Sequence, residues 1–305
     1  MKAYSDLTNR TEDCVDTMYH LINSSDENTR AAIASQGFDD EYFSNDESPV
    51  VRIAVAEHTK DINILKKLSH DDMATVRMAV VQHTDNEEIL KSMVNDIWII
   101  RAELAKNPCV HPLLIDDTDV CVRRTIAETT NDTNILNHYL SDEDVGVRGN
   151  VALRGFGHDV LVKDEHYFVL EAIAKTSNDE KILNELITAP FSGELRLIIA
   201  ERGLLLDELQ NDHWHEVRKA VATNTKDAVL LHDMAYKIMK IPHLFSKENS
   251  YSVLWSIAHN ENVKKGDKSD IYKILKYDSF YADKINEERT ARPQKQSSDI
   301  KTERN

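Results

Sequence analysis

Eight arginines, Arg30, Arg52, Arg77, Arg101, Arg123, Arg148, Arg196 and Arg218, share one register with two leucines, Leu170 and Leu254. Successive steps run from 22 to 26 residues until the last, which is 36. A row of guanidinium groups can grip phosphates or acidic peptides through paired N–H donors. Six residues before the register, however, stands Ser24, Asp46, Asp71, Asn95, Asp117, Asp142, Asp164 or Asp212, with Pro190 the one break among the first nine positions. An acid so placed in each unit predicts a structural ladder of charge-assisted bonds, in which Asp46 belongs with Arg52, Asp71 with Arg77, Asp117 with Arg123, Asp142 with Arg148 and Asp212 with Arg218. Arg77 and Arg101 stay open as contacts to a partner, because a ladder and a binding row draw on the same residue type.

Other residues with chemical potential are scattered. His58 and His83 occupy the same repeat position, and His213 and His215 flank Trp214. Equivalent positions on neighbouring helices lie ~8–10 Å apart, whereas metal ligands sit near ~2 Å from a shared ion, so no metal site is expected. There is no Gly-rich phosphate loop, no G-x-S-x-G elbow and no H-E-x-x-H pair, so neither catalysis nor a cofactor is expected. Trp98 and Trp214 stand three and four residues before their arginines, where other units carry Pro49, Ala74 or Val120. Large aromatics in a slot of small residues are either core or exposed anchors for a partner.

The elements that position these residues follow from periodicity. Three residues after each register comes Ile33, Val55, Val80, Leu104, Ile126, Val151, Ile173, Ile199, Val221 or Ile257, and the next residue is alanine everywhere except Val81. One residue before the register, nine of the ten are aliphatic, Thr29 being the exception. These offsets share one face of a 3.6-residue helix, and the alanine column marks a close approach by a neighbouring helix. A second helix follows in "DINILKKL", "NEEILKSM", "DTNILNHYL" and "DEKILNEL", with Asp61, Asn86, Asp132 and Asp179 as N-caps. In "DESPVVR", Pro49 suits the first helical position, Ser48 the cap, and Asp46 the turn just outside.

The pattern D-x(4)-V-R-x-x-V/I-A, repeated every 22 to 26 residues over roughly residues 11 to 260, resembles HEAT-type α-helical repeats, and more closely the short bacterial repeats called leucine-rich repeat variants. The resemblance implies an all-α fold, an α-solenoid of about ten short helix-turn-helix repeats, and a bacterial or bacteriophage source. It also implies that the Asp and Arg columns form the ladder, interrupted at Leu170 and Leu254. The iron-sulfur module that sometimes accompanies such repeats needs clustered cysteines, and Cys14 stands alone. Alkylpurine DNA glycosylases built from HEAT-like repeats supply an alternative of another class, in which Trp98 with Glu103, or Trp214 with Asp212, would imitate the catalytic set.

Composition weighs between these readings. The formal net charge is -16, and the first fifty residues hold eleven Asp or Glu against Lys2, Arg10 and Arg30. That balance repels nucleic acid over most of the surface and favours a basic protein partner. Three scattered cysteines, no apolar run of membrane length and no signal-like N-terminus point to a cytoplasmic protein. The expected organisation is an N-terminal stack over residues 1–153, a bend at 154–168, a C-terminal stack over 169–281 and a disordered tail over 282–305. The stretch Tyr236 to Ser250 reads as an insertion with an extra polar loop, either a binding loop that projects from one face or simply an irregular last repeat. The function expected is a non-enzymatic protein-protein interaction scaffold.

Overall fold

The computed structural model describes residues 19–189, 192–240 and 247–291, and every regular element among them is helical. Among the described residues, no helix is long and apolar enough to cross a membrane. The chain divides into two compact units, Met1–Gly157 and His158–Asn305.

Each unit is an α-solenoid stack in which helices carrying the register pack on one another in chain order. In the first unit these are Glu27–Ala34, Pro49–His58, Ala74–His83, Trp98–Leu104, Val120–Thr129 and Val145–Leu153. In the second they are Tyr167–Thr176, Ser192–Glu201, His215–Asn224 and Lys247–His259. Between them run shorter helices, among them Ile62–Leu68, Glu87–Ser92, Thr133–Tyr139 and Glu180–Leu186. Their N-caps are the residues read from the sequence: Asp61, Asn86, Asp132 and Asp179 each accept an N–H of the first turn through the side chain. Ser48 caps Pro49–His58 in the same way, with Pro49 in the first turn.

The three aliphatic columns are the core. From Val51 to Ala152, and again from Val169 to Ala258, every residue at offsets -1, +3 and +4 is buried, nearly all of them completely. Burial of an aliphatic side chain contributes about 1.5–3 kcal/mol, and the alanines let the next helix approach. Beyond the last register helix, Lys265–Leu275 and Ser279–Ala291 close the described chain.

Two expectations need correction. Helix Ser279–Ala291 occupies the first ten residues assigned to a disordered tail. Tyr281 and Ile285, one turn apart, are buried, and the Tyr281 ring lies 5.5 Å from that of Trp255. Counting aliphatics from Ala282 onward left Tyr281 outside the window and so missed the apolar stripe. Residues 292–305 lie outside the described residues. The insertion is not a loop at its ends: Tyr236 falls in the 13-residue helix Ala228–Lys240, and Ser250 in Lys247–His259. Lengthening of the second helix therefore absorbs much of the 36-residue step, and residues 241–246 lie outside the described residues.

Candidate interaction surface

The guanidinium groups are bound into the stack. In Arg30, Arg52, Arg77, Arg101 and Arg123, Nε and Nη2 donate as a fork to one carboxylate, respectively Asp46, Asp71, Asp96, Asp117 and Asp142, with Nε···Oδ2 distances of 2.6–2.8 Å. Arg196 makes the same fork to Asp212. The carboxylate comes from the following unit. The arginine's own unit contributes a backbone carbonyl instead: Nη1 of Arg52, Arg77, Arg123, Arg148 and Arg218 donates to the carbonyl oxygen of Asp46, Asp71, Asp117, Asp142 and Asp212 at 2.5–2.8 Å. Pairing of an arginine with the acid six residues before it is thus corrected: that acid's side chain serves the arginine of the preceding unit.

The same carboxylates hold the turns. Asp46, Asp71, Asp117, Asp142 and Asp212 each accept the backbone N–H two residues on, at 2.8–2.9 Å. Asp96, not Asn95, is the acid of its unit, and it accepts the N–H of Ile97. The fixed offset of six had pointed to Asn95; a charged neighbour one residue away was the signal that would have found Asp96. Burial opposes ionisation of Asp46, Asp71, Asp96 and Asp117, but hydrogen bonds from the arginine and the backbone, with the adjacent positive charge, outweigh it and hold these carboxyls below their ordinary range.

A second ladder, at the C-terminal ends of the register helices, was not anticipated. Six residues after the register stand polar side chains that reach a carbonyl at the end of the preceding register helix. Thr129 Oγ1 donates to Ala105 O at 3.1 Å, Arg202 Nη1 to Ala174 O at 2.5 Å, Asn224 Nδ2 to Ala200 O at 3.2 Å and Asn260 Nδ2 to Ala222 O at 2.9 Å. Arg154 donates likewise to Glu128 O. Final-turn carbonyls have no partner within their own helix, so this column joins neighbours where the backbone needs donors. The only constraint on the residue is a donor of suitable reach, and the mixed types concealed the column.

The remaining candidates divide clearly. Both ring nitrogens of His58 are engaged, Nδ1 with Ala54 O at 2.6 Å and Nε2 with Asp40 Oδ1 at 2.9 Å. His83 Nδ1 meets Ala79 O at 3.0 Å. Trp214 is partly buried, and a Cβ added at Gly193 would lie 2.5 Å from its indole, so the ring fills the space that this glycine leaves. Asp212, the proposed acid beside Trp214, is in the Arg196 fork with its side chain 4% exposed. Glu103 holds Lys106 at 2.7 Å. Trp98 differs: it is 50% exposed, between Ile97 and Ile99, which are 48% and 46% exposed.

These three residues belong to an apolar band on the solvent face of the register helices of the first unit. Val50 and Met73, at the start of the two preceding register helices, are each about two-fifths exposed, and Ile53, Met78 and Ala102 are partly exposed on the following turn. Of the bases on these helices, Lys106 is paired with Glu103 and Arg124 with Asp144. Acids at its edges are exposed: the side chains of Glu47 and Asp72 are 91% and 86% accessible, and Glu57 and Glu128 are exposed at the opposite end of their helices. No known protein family, curated protein or solved structure matches the chain.

Proposed function

We propose that this protein is a HEAT-type helical repeat scaffold that binds a basic protein partner in the cytoplasm and performs no chemistry of its own. The observation that carries this reading is the division of labour on the register helices. Their arginines are engaged by aspartates within the stack, while an apolar band with acidic edges faces solvent. A protein whose guanidinium row is neutralised internally offers little to a phosphate backbone, and its -16 net charge attracts cations over long range. The free thiols of Cys109 and Cys121 suit a reducing compartment.

The test is capture of partners by the immobilised full chain from a nuclease-treated lysate of the source organism, eluted in salt steps. The reading expects one saturable protein partner that is released as salt rises. Retention of nucleic acid from an untreated lysate, with no protein retained from the treated one, would overturn it in favour of a nucleic-acid-acting protein.

A further inference from the structure

We infer that the apolar band of the first unit is a seat for a basic amphipathic helix. This inference rests on the scaffold reading and gives it an address and a partner chemistry.

Three rows define the seat. Its floor is formed by Val50, Met73, Ile97, Trp98 and Ile99, all between 41% and 50% exposed, and is continued by Ile53 and Met78. Stacking of Pro49–His58 on Ala74–His83, and of Ala74–His83 on Trp98–Leu104 and then Val120–Thr129, places equivalent positions side by side, so the floor runs along the stack. One edge carries Glu47 and Asp72, whose side chains are almost fully accessible. The other carries Glu57 and Glu128, with Gln82 and Lys106 at the equivalent positions between them, Lys106 being held by Glu103 at 2.7 Å.

Contiguous exposed apolar surface rimmed by charge marks an interaction site. Here the rim selects the occupant. An apolar floor with one acidic edge, Glu47 and Asp72, and exposed acids at both ends of the other, on a chain of net charge -16, complements a helix with one apolar stripe and lysine or arginine on its flanks. Charge on the rim speeds encounter and rejects acidic helices, whereas the buried centre, with Trp98 as anchor, holds the complex. The floor crosses three register helices, and two helix steps of roughly 9 Å span about 18 Å, the length of about 12 residues of helix at 1.5 Å per residue, so a longer helix carries its ends past the floor.

The arginines do not defeat this arrangement. Arg52 donates to Asp72 at 3.1 Å, but its principal fork is to Asp71, so Asp72 keeps an open face toward solvent. Arg124 is held by Asp144 through two bonds of 2.7 Å.

The experiment titrates the full chain into a fluorescein-labelled helical peptide of about 18 residues, with a leucine stripe and lysine flanks, and follows anisotropy. Saturable binding is expected, with at least about tenfold weakening in the double variant Trp98→Ala/Ile99→Ser. The charge reversal Glu47→Lys/Asp72→Lys should weaken binding at low salt by a similar factor. Both variants alter exposed side chains, and an unchanged urea midpoint shows that the fold is intact. A peptide with glutamate flanks should not bind. Failure of the lysine peptide to bind, equal binding of a scrambled peptide of the same composition, or unchanged binding by both variants would overturn the seat. Should Trp98→Ala/Ile99→Ser still capture the lysate partner as the wild type does, the seat is wrong and the scaffold reading stands. Should the wild type capture no protein at all, the scaffold reading itself fails.

Discussion

The two units use the same helical grammar with different completeness. In the first, five consecutive rungs join the register helices without a gap, from Arg30–Asp46 to Arg123–Asp142. In the second, Leu170 stands where an arginine would be, and Pro190 stands where the acid of the next unit would be. Because six register arginines pair forward, those two positions are by sequence spacing the two halves of a single rung, and both are absent together. A buried ion pair is strongly destabilising when one partner alone is removed, but nearly neutral when both give way to apolar residues. Leu170 is accordingly buried, at 1% exposure, among core side chains.

That comparison is broken most severely by an incomplete rung in the first unit. Asp96→Ala leaves Arg77 with its forward partner gone and removes the bond to the Ile97 N–H. A loss of about 3–5 kcal/mol is expected, read as a lower urea midpoint and as faster hydrogen exchange in Ala74–His83 and Trp98–Leu104. Replacing Arg77 and Asp96 together by leucines should recover most of the loss, and would give the first unit the paired absence of acid and arginine that the sequence has at Leu170 and Pro190.

The converse change sharpens it. Leu170→Arg puts an unmatched guanidinium into the core of the second unit and should cost about 3 kcal/mol. Adding Pro190→Asp should return part of this, with a coupling of about 1–3 kcal/mol in a double-mutant cycle. Absence of coupling would show that the forward-pairing rule does not extend to this position.

A smaller effect concerns the other end of the helices. Arg202 donates to Ala174 O, to Ser177 O at 2.7 Å and to Asn178 Oδ1 at 2.7 Å, and burial lowers its pKa. Arg202→Ala should lower stability by about 1–2 kcal/mol, with the increase in exchange confined to Tyr167–Thr176 and Ser192–Glu201.

The mildest difference is in pH response. His111, in the first unit, is buried at 1% exposure with Nε2 on Ala105 O, and burial pushes its pKa below the ordinary histidine range despite the hydrogen bond to that carbonyl. The unfolded chain therefore binds the proton first, so stability falls as pH drops below about 6.5. The urea midpoint should be lower at about pH 5.5 than at about pH 7.5, and His111→Gln should flatten that difference. The ladder aspartates respond in a lower window. Their folded pKa values are depressed, so their contribution is complete above the ordinary carboxyl range and is lost as pH falls through and below it.

Much of the fold was legible because its signals are local and repeated. Ser48, Asp61, Asn86, Asp132 and Asp179 cap helices for reasons confined to a few adjacent residues, and the -1, +3 and +4 columns are the period of one helix. The candidate surface was legible only in part. Trp98 opens its helix and Trp214 stands at the N-cap of His215–Asn224, one position apart in register, yet that shift alone does not say that one is half exposed and the other lies over Gly193 of the preceding register helix. Ile97, Ile99 and Met73 read as ordinary apolar residues, and their exposure follows from where the stack turns each helix.

By itself, then, the sequence determined the repeat, the helical class, the caps and the buried columns, since all of these depend on spacing along one or two turns. The tertiary structure decided which acid meets which arginine, that Asp96 replaces Asn95, that Tyr281 and Ile285 bring Ser279–Ala291 out of the expected tail, and which tryptophan faces solvent. Each of those depends on a neighbour from another unit or another helix, 16 to 38 residues away in the ladder contacts and 26 residues away for Trp255 and Tyr281. Contacts of that kind leave no fixed spacing for a one-dimensional pattern to reveal.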